Sequence, residues 1–569
     1  MGYNNFDVAI YCTVNNLNSI NDMHKFEKSF RLIEKNVHVD KVYLETYRSG
    51  EYIKKDKLLA LKEFFEKRNI KVSGGITATD SNNEDEYGFR SMCYTNELHR
   101  DRLKSVVEMT ASVFDEIILD DFFFTNCKCE HCIAAKGSMS WMQFRTALMK
   151  QVSESLVVGP AKKIKPDINM IIKYPNWYEC YQETGYNLAD ESRIFDMIYT
   201  GTETRDPQFT QQHLPKYLSY FLMRYLENVK PGKNGGGWFD QFDCDGNPNN
   251  YTEQVYLTLF SKPMEVTLFC LGTLLSVKGQ KYVQLAGGAF TAADNFLGDL
   301  GNPVGTACYI PYHSNGEDYL HNYIGMLGIP LEPYPQYPEG SKKIFLTESA
   351  AADFDIIEKI HKSLLNGSDI IITSGFVKVL DGKGFERLAN IRHTNRKAIV
   401  NKYGLSAQGL SIDSSEILAK PILLPWLTFS TNDAWQLAQG FGDDINLPVV
   451  LAINYGKGHL YIITIPDDLG GLYSYPRELL KLIRTVFNDN SHVMLDAASK
   501  VCLFTYDNDT VIVKSFLSYN DTVRIIVDRP GARLMDMEYN IEVNGVNDDR
   551  RTIFEVALHQ SEYKVFKLK

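Results

Sequence analysis

Short apolar runs alternate with amphipathic stretches along the first half of the chain, from residue 6 to about residue 275. The apolar runs are rich in β-branched and aromatic residues, and the stretches between them carry the spacing of helices with one apolar face. The predicted strands are residues 8–12, 41–46, 70–77, 116–122, 169–174, 195–201, 235–239 and 265–271. Helical patterns between them include residues 56–67, 96–113, 141–158 and 214–229. Eight such units predict a (β/α)8 TIM barrel.

The second half of the chain carries two further patterns. We assign residues 1–310 to the barrel and residues 311–340, rich in Pro, Gly and Tyr, to a linker. Residues 341–492 predict a flavodoxin-like α/β domain without a glycine-rich phosphate loop. Its strands are expected at 344–346, 369–372, 449–453 and 459–465, and its helices at 351–365, 385–392 and 476–486. Apolar and polar residues alternate with a period of two over residues 493–569, which predicts a small C-terminal antiparallel β domain.

Composition narrows the class of protein. A chain of 569 residues with 44% hydrophobic and 23% charged residues is a multidomain globular protein. A net charge of -11 with no cluster of Lys and Arg excludes a nucleic-acid partner. No signal segment and no apolar run of membrane-spanning length is found, so we expect no membrane association and a cytoplasmic location. The ten cysteines are then expected to be reduced thiols.

Carboxylates follow several of the predicted strands. Asp120 and Asp121 end the apolar run of the fourth strand, and Glu203 and Asp240 follow the sixth and seventh. A parallel barrel carries its catalytic groups at these strand ends, and glycoside hydrolysis needs two carboxyl groups that face each other across the scissile bond. We therefore predict a glycosidase with Asp121, Asp240, Glu203 and Asp120 as candidate catalytic residues. Helix capping and turn formation are the alternative roles for such acids.

Other polar and aromatic residues are expected on the same face of the barrel. They suit sugar hydroxyls and sugar ring faces, which makes them candidates for substrate binding. These residues are Glu45, Arg90, Lys173, Trp177, Arg205 and Trp238. Trp177 is also compatible with simply closing the end of the barrel.

Three cysteines follow the fourth strand at close spacing. Cys127, Cys129 and Cys132 fit on one short loop around a tetrahedral metal, and Cys93 from the preceding unit is the candidate fourth ligand. Four thiolates leave no open coordination position, so we expect a structural Zn that takes no part in chemistry. Four unliganded thiols are the alternative.

These motifs together resemble a known family. Arg90-Ser91-Met92-Cys93, the cysteine loop, Trp141-x-x-Phe144-Arg145 and Asp240-Gln241 are similar to motifs of the glycoside hydrolase family 42 β-galactosidases. The resemblance implies a TIM barrel with a zinc loop, a flavodoxin-like trimerisation domain, a small C-terminal β domain and a carbohydrate substrate. It also implies a homo-oligomer, with a trimer favoured.

The resemblance further implies that Asp121 replaces the family's acid/base Glu and that Asp240 replaces its nucleophilic Glu. Both are shorter by a methylene, which leaves a retaining or an inverting outcome open. A second pairing also stays open, with Asp121 as nucleophile and Glu203 as acid. Two other classes of protein compete with the hydrolase: a catalytically silent carbohydrate-binding barrel, and an assembly protein built on the second domain.

Overall fold

The computed structural model describes residues 2–80, 91–210, 212–406, 417–442, 444–488, 492–548 and 550–569. The chain divides into two compact units, Met1–Gly298 and Asp299–Lys569. Within the described residues, no helix is both long enough and apolar enough to cross a lipid bilayer.

The first unit is a closed barrel of eight parallel strands. In chain order its strands are β1 (Asp7–Cys12), β2 (Lys41–Arg48), β3 (Glu51–Tyr52), β4 (Lys71–Ile76), β5 (Glu116–Leu119), β6 (Asn169–Tyr174), β7 (Met197–Gly201), β8 (Asn234–Asp240) and β9 (Glu265–Phe269). β3 only extends β2 as a short hairpin, and pairing of β1 with both β2 and β9 closes the ring. The prediction of a (β/α)8 barrel is confirmed.

Helices follow the strands around the outside of the barrel. They are α1 (Val14–Ser19), α2 (Met23–Glu34), α3 (Lys55–Glu66), α4 (Glu97–Ala111), α5 (Glu130–Lys136), α6 (Trp141–Val152), α7 (Gly159–Ile164), α8 (Tyr181–Thr184), α9 (Leu188–Ile194), α10 (Leu218–Val229), α11 (Asn249–Phe260), α12 (Leu271–Leu275) and α13 (Gln280–Leu297). A π-helical turn, Ser153–Val158, joins α6 to α7. Strand side chains that point inward fill the barrel with a buried layer, in which Tyr11, Tyr43, Tyr199 and Trp238 are the largest members.

The fourth barrel strand is shorter than its apolar run suggests. β5 ends at Leu119, so that Asp120 and Asp121 begin the following loop, and Phe123 donates its backbone N–H back to the Asp120 carbonyl. The seventh strand, β8, extends one residue further than predicted and ends on Asp240 itself. Both changes place these carboxylates at the rim of the barrel, where the strands end.

The second unit begins with an α/β sheet. β10 (Pro303–Val304) precedes this sheet and pairs instead within the C-terminal β domain. The strands of the α/β sheet are β11 (Thr306–Tyr309), β12 (Leu331–Tyr334), β13 (Lys343–Leu346), β14 (Asp369–Thr373), β15 (Ile391–Leu405), β16 (Ile417–Phe429), β17 (Trp435–Phe441), β18 (Asn446–Tyr455) and β19 (Gly458–Ile463). Helices α14 (Leu320–Met326), α15 (Ile356–Asn366), α16 (Ser374–Leu380) and α17 (Arg477–Phe487) accompany them. The parallel strands β12, β11, β13, β14 and β19 follow the 2-1-3-4-5 order of a flavodoxin-like sheet, as predicted.

Two segments of this sheet differ from the sequence expectation. Residues 311–340, expected as a linker, contain α14 and β12, and β11 immediately before them is the first strand of the flavodoxin-like sheet. The prediction of a helix at residues 385–392 was wrong. Only Phe385–Arg387 forms a turn of 3-10 helix, and Ile391 begins the long strand β15, which pairs with β16 in an antiparallel ribbon. Cross-strand pairing overrides the weak local helical pattern there.

The C-terminal part is an antiparallel β domain, as expected. Its strands are β20 (Val493–Asp496), β21 (Val501–Tyr506), β22 (Thr510–Ser515), β23 (Asp521–Val527), β24 (Leu534–Asp536), β25 (Ile541–Val543), β26 (Gly545–Asp548), β27 (Arg551–Leu558) and β28 (Tyr563–Leu568). They form two sheets whose inward residues share one apolar core.

Candidate active site

A cavity of about 670 Å³ lies at the carboxyl ends of the barrel strands. Its acidic lining residues come from the fourth, sixth and seventh barrel strands, and its basic ones from the second, fifth and sixth. Aromatic rings form much of the remaining wall, namely Phe122, Phe124, Trp177, Trp238, Phe242 and Phe269. A concave, largely apolar site with a few convergent charges is the usual form of a small-molecule site.

Lys173 joins the two carboxylates that face each other in this cavity. Its Nζ lies 2.6 Å from Asp121 Oδ2 and 3.1 Å from Glu203 Oε1. Because both oxygens are within hydrogen-bond distance of the same nitrogen, they are at most roughly 6 Å apart, which is closer than the usual spacing of inverting glycosidases. The Lys173 ammonium also lies 4.3 Å from the centre of the Trp238 ring.

Burial and charge set the protonation of this group. Burial raises the pKa of Asp121 to about 7, with Lys173 opposing the shift and the charges of Asp120 and Glu203 adding to it. Burial also raises the pKa of Glu203, again against Lys173 and together with Asp240. Since one ammonium compensates one negative charge, the pair holds a proton near neutral pH and titrates as a unit.

Asp240 is bound differently. Arg205 holds it in a bidentate ion pair, with Nε at 3.0 Å from Oδ1 and Nη2 at 2.7 Å from Oδ2. The backbone N–H of Phe242 donates to Asp240 Oδ1 as well. The Asp240 carboxylate is therefore occupied by its own neighbours, whereas Asp121 and Glu203 share a single cation.

Glu45 and Asp120 both pair with Arg48 at the edge of the cavity. The Glu45 side chain is fully buried and accepts hydrogen bonds from Tyr11, Thr77, the Val14 N–H and Arg48, so it does not line the cavity. Asp120 Oδ2 lies 2.8 Å from Arg48 Nη2, and Asp120 Oδ1 accepts the backbone N–H of Asp121. Burial alone would raise the pKa of Asp120, but the charges of Lys173 and Arg48 outweigh it and lower that pKa. Asp120 is thus an anion that fixes the Asp121 backbone.

The four cysteines from two successive barrel units come together beside this site. One sulfur from each of Cys93, Cys127, Cys129 and Cys132 lies within 4.8 Å of the others, and Cys93 Sγ is 3.7 Å from Cys129 Sγ and 3.6 Å from Cys132 Sγ. Zn–S bonds of about 2.3 Å in a tetrahedron require sulfurs about 3.8 Å apart, so the thiols fit such an ion. The cluster can hold a metal ion and leaves no position open for a substrate.

Comparison with known proteins places the chain in a family. A family model described as "Probable glycosyl hydrolase, catalytic domain" matches residues 1–295, more than half of the chain. The chain belongs to this family of glycosyl hydrolases. Residues 301–468 match "Uncharacterized protein SSO3021, second domain", and residues 492–568 match "Probable glycosyl hydrolase, C-terminal domain".

Individual relatives of this glycosyl hydrolase agree in length and fold. The uncharacterized protein SSO3021 of Saccharolobus solfataricus is 26% identical over 528 residues, which cover 85% of this chain and 86% of that protein. Among solved structures, α-L-fucosidase isoenzyme 2 from Paenibacillus thiaminolyticus has a TM-score of 0.66 at 12% identity, with 100% of both chains covered. Gan42B, a GH42 β-galactosidase from G. stearothermophilus, has a TM-score of 0.65 at 11% identity, with 100% of this chain and 98% of that chain covered. At these identities the two structures share the fold alone, so the resemblance to family 42 is confirmed for the architecture only.

The candidate residues of the glycosyl hydrolase separate into three groups. The cavity is lined by Asp120, Asp121, Lys173, Trp177, Glu203, Arg205, Trp238 and Asp240. Glu45 lies behind this lining, and Arg90 falls outside the described residues. Sequence reasoning missed Arg48 and Gln212, which also line the cavity. Arg48 is the last residue of β2, and its position at a strand end was the available signal.

Loss of a metal ion from the four-cysteine cluster is expected to destabilise this glycosyl hydrolase. Cys127→Ser removes one thiolate from the cluster, and because metal binding and folding are coupled, we expect a lower Tm and a drop from about one metal per chain to well below one. Elemental analysis and thermal unfolding measure both. Cys180→Ser, at an exposed thiol outside the cluster, is the matched control. Only a trace of metal in freshly purified wild-type protein would contradict the expectation.

Proposed function

We propose that this glycosyl hydrolase cleaves a glycosidic bond with retention of configuration, with Asp121 as nucleophile and Glu203 as acid/base. The observation that carries the proposal is the shared contact of Lys173 with these two carboxylates, while Asp240 is held by Arg205. Among the pairings left open by the sequence, this one has both carboxyl groups available to substrate.

Contact distances favour the assignment of roles within the pair. Lys173 is closer to Asp121 than to Glu203, so the carboxylate form is stabilised more on Asp121. Neighbouring acids raise the pKa of both groups, Asp120 that of Asp121 and Asp240 that of Glu203, so the shorter contact of Lys173 with Asp121 is what assigns the proton to Glu203. An ionised nucleophile facing a protonated acid is the state that starts the reaction.

The reaction then has two steps. Glu203 donates its proton to the glycosidic oxygen while Asp121 attacks the anomeric carbon, which releases the leaving group and forms a glycosyl ester. Glu203, now a carboxylate, takes a proton from a water molecule as that water attacks the anomeric carbon. This attack breaks the ester bond and frees Asp121. Lys173 compensates the charge on whichever carboxyl group is ionised at each stage.

The charges of the cavity favour a neutral sugar. Among the described residues that line it, the three cationic side chains are each paired with acids: Arg48 with Asp120, Lys173 with Asp121 and Glu203, and Arg205 with Asp240. A substrate carboxylate would have to displace one of these buried pairs, which costs binding energy. The aromatic walls suit the apolar faces of a neutral ring.

A panel of aryl glycosides tests the proposal. The first compounds are an aryl α-L-fucoside and an aryl β-D-galactoside, because enzymes of the same fold are named for these sugars. We expect turnover of a neutral glycoside, with the first-formed product anomer matching the substrate in NMR, and much slower turnover of the corresponding uronide. An inverted first product would contradict the retaining pair. Sugar binding without turnover across the panel would instead indicate a silent carbohydrate-binding barrel.

The cysteines support two further proposals, on the metal and on the cellular location. We propose that the four-cysteine cluster binds Zn, because four thiolates around a tetrahedral site are typical of structural zinc. None of the ten cysteines forms a disulfide, which supports a reducing compartment such as the cytoplasm.

Assembly into a homo-oligomer, with a trimer favoured, is a further proposal. The β15–β16 ribbon exposes a direct cross-strand pair, Ile399 and Leu423, together with Leu418. Exposed apolar side chains clustered on one strand pair are typical of contact surfaces. We expect light scattering to give about three times the chain mass of 64.9 kDa, and Ile399→Asp with Leu423→Asp to give the single-chain mass. Val546→Asp, at an exposed position in the C-terminal domain, is the control. A wild-type mass near 64.9 kDa would contradict the proposal.

A further inference from the structure

We propose that Gln254 is a positioning residue that fixes Glu203 relative to the leaving group by clamping the ends of the sixth and seventh barrel strands together. This inference rests on the proposed function, because it assigns Gln254 its effect through the acid Glu203. Gln254 lies on α11 behind the cavity wall, and its side chain is fully buried.

The amide of Gln254 bonds to both loops at once. Its Oε1 accepts the backbone N–H of Thr204 at 3.0 Å and that of Arg205 at 3.2 Å. Its Nε2 donates to the backbone carbonyl of Asp240 at 2.9 Å. One side chain therefore satisfies three backbone groups, on either side of the Arg205–Asp240 ion pair.

The segment that Gln254 holds has an unfavourable conformation. Arg205 has a φ of 50°, in the left-handed region that a residue with a side chain rarely adopts. Such a conformation persists only where the surroundings hold it in place. Gln254 Oε1 holds this conformation from beneath, because it accepts the backbone N–H groups of both Thr204 and Arg205. The contact thereby directs the Arg205 guanidinium onto Asp240.

The rest of the α11 surface supports the same loop. Asn250 donates to Asp206 Oδ2 at 2.7 Å, and Glu253 forms an ion pair with Lys216, whose Nζ donates to the Arg205 carbonyl. Glu253 and Gln254 lie three and four positions after Asn250, so all three are on the same side of the helix. A buried polar helix face directed at residues 204–206 indicates that the position of this loop is specified.

Loss of the Gln254 contacts affects catalysis through Glu203. Glu203 is one residue before the clamped segment, and Asn176 Nδ2 donates to its backbone carbonyl at 2.5 Å. If the clamp is lost, the Arg205–Asp240 pair can move relative to Glu203, and the proton that Glu203 delivers is no longer aligned with the glycosidic oxygen. A displacement of about 1 Å can cost up to about 100-fold in rate.

The test compares two leaving groups in Gln254→Met, which keeps the size of the side chain and removes its hydrogen bonds. A phenyl glycoside needs protonation of its leaving group, whereas a 2,4-dinitrophenyl glycoside does not. We expect kcat/KM for the phenyl glycoside to fall by about 10- to 100-fold and that for the dinitrophenyl glycoside to change by less than about threefold. The alkaline limb of the pH profile should move as well, because the charge of Asp240 contributes to the pKa of Glu203.

Thr258→Val is the matched control. Thr258 is also fully buried on α11, and its hydroxyl donates to Thr202 at 2.9 Å, one turn further from the cavity. We expect Thr258→Val to lower the Tm without changing the ratio of kcat/KM between the phenyl and the dinitrophenyl glycoside. If Gln254→Met does not fold, Gln254→Asn keeps an amide that is one methylene too short, and the same separation should appear at about three- to tenfold.

Equal losses on both substrates in the Gln254 variants, or an unmoved pH profile, would overturn the inference. Glu203→Gln distinguishes this from failure of the proposed function. If Glu203→Gln separates the two substrates and the Gln254 variants do not, only the role of Gln254 is wrong. If Glu203→Gln does not separate them, Glu203 is not the acid and the proposed function itself fails.

Discussion

Replacing Asp121 by Gly is expected to lower kcat/KM by at least about 10⁴-fold on every aryl glycoside, because the variant lacks the nucleophile whatever the leaving group. Sodium azide should then restore turnover by entering the space of the lost carboxylate. It would attack the anomeric carbon from the same side as Asp121 and give a glycosyl azide of inverted configuration, which NMR identifies. Glu203→Gly is expected to behave differently, with a loss of about 10²- to 10⁴-fold only on poor leaving groups. Azide should then intercept the glycosyl ester and give the azide of retained configuration.

The Asp240→Gly variant distinguishes the Asp121–Glu203 pairing from the alternative pairing of Asp121 with Asp240. If Asp121 were the acid and Asp240 the nucleophile, Asp121→Gly would give the retained azide and Asp240→Gly the inverted one. We expect no azide product from Asp240→Gly, since the carboxylate of Asp240 is already bound by Arg205 in a bidentate pair. An inverted azide from Asp240→Gly would therefore contradict the assignment of the nucleophile.

Replacing Lys173 by Met is expected to have the second-largest effect. The ammonium is almost completely buried and contacts Asp121 and Glu203 directly, with Asp120 Oδ1 at 3.7 Å. Its removal leaves acids that repel one another without a cation, which should lower the free energy of unfolding by about 3–5 kcal/mol at neutral pH. We also expect kcat/KM to fall by about 100-fold or more, because the carboxylate form of Asp121 loses its stabilising charge. Denaturant unfolding and steady-state kinetics measure these effects.

The pH profile shows whether Lys173 acts on the catalytic pair. In the wild type, burial raises the pKa of both Asp121 and Glu203, so the pair keeps its shared proton to a higher pH than isolated carboxyl groups would, and activity should fall as the pH rises and Glu203 loses that proton. Lys173 lowers the pKa of both carboxyl groups, so Lys173→Met should shift the profile to higher pH. Lys41→Met is the matched control, since Lys41 is paired with Glu116 and Glu265 at the opposite end of the barrel. Lys41→Met should lower stability without shifting the pH profile of activity. The same pH profile in Lys41→Met and Lys173→Met would contradict the role of Lys173.

Much of the architecture could be predicted from local patterns. Apolar runs that alternate with amphipathic stretches define the barrel, because each strand is buried on both faces and each helix on one. The limits appeared where pairing partners are distant in sequence. β15 begins at the last two residues of a segment expected to be helical, because β16 offers Ile391 and Arg392 cross-strand partners in Phe429 and Thr428. β12 lies within the expected linker and β11 just before it, and the sequence did not reveal them as strands because β11 is paired on both sides by strands that follow later, β12 and β13.

The sequence alone determined which chemical groups are present near the strand ends, because the end of an apolar run is a local property. It placed Asp120 and Asp121 after the fourth strand and grouped Cys127, Cys129 and Cys132 on one loop. Only the tertiary structure decided how the charges pair. Lys173 lies on β6, whereas Asp121 and Glu203 follow β5 and β7. Arg205 pairs with Asp240, and Glu45 accepts hydrogen bonds from Tyr11 and Thr77. Coulomb energies depend on separations of a few ångströms between residues far apart in the chain, and those separations exist only once the barrel has closed.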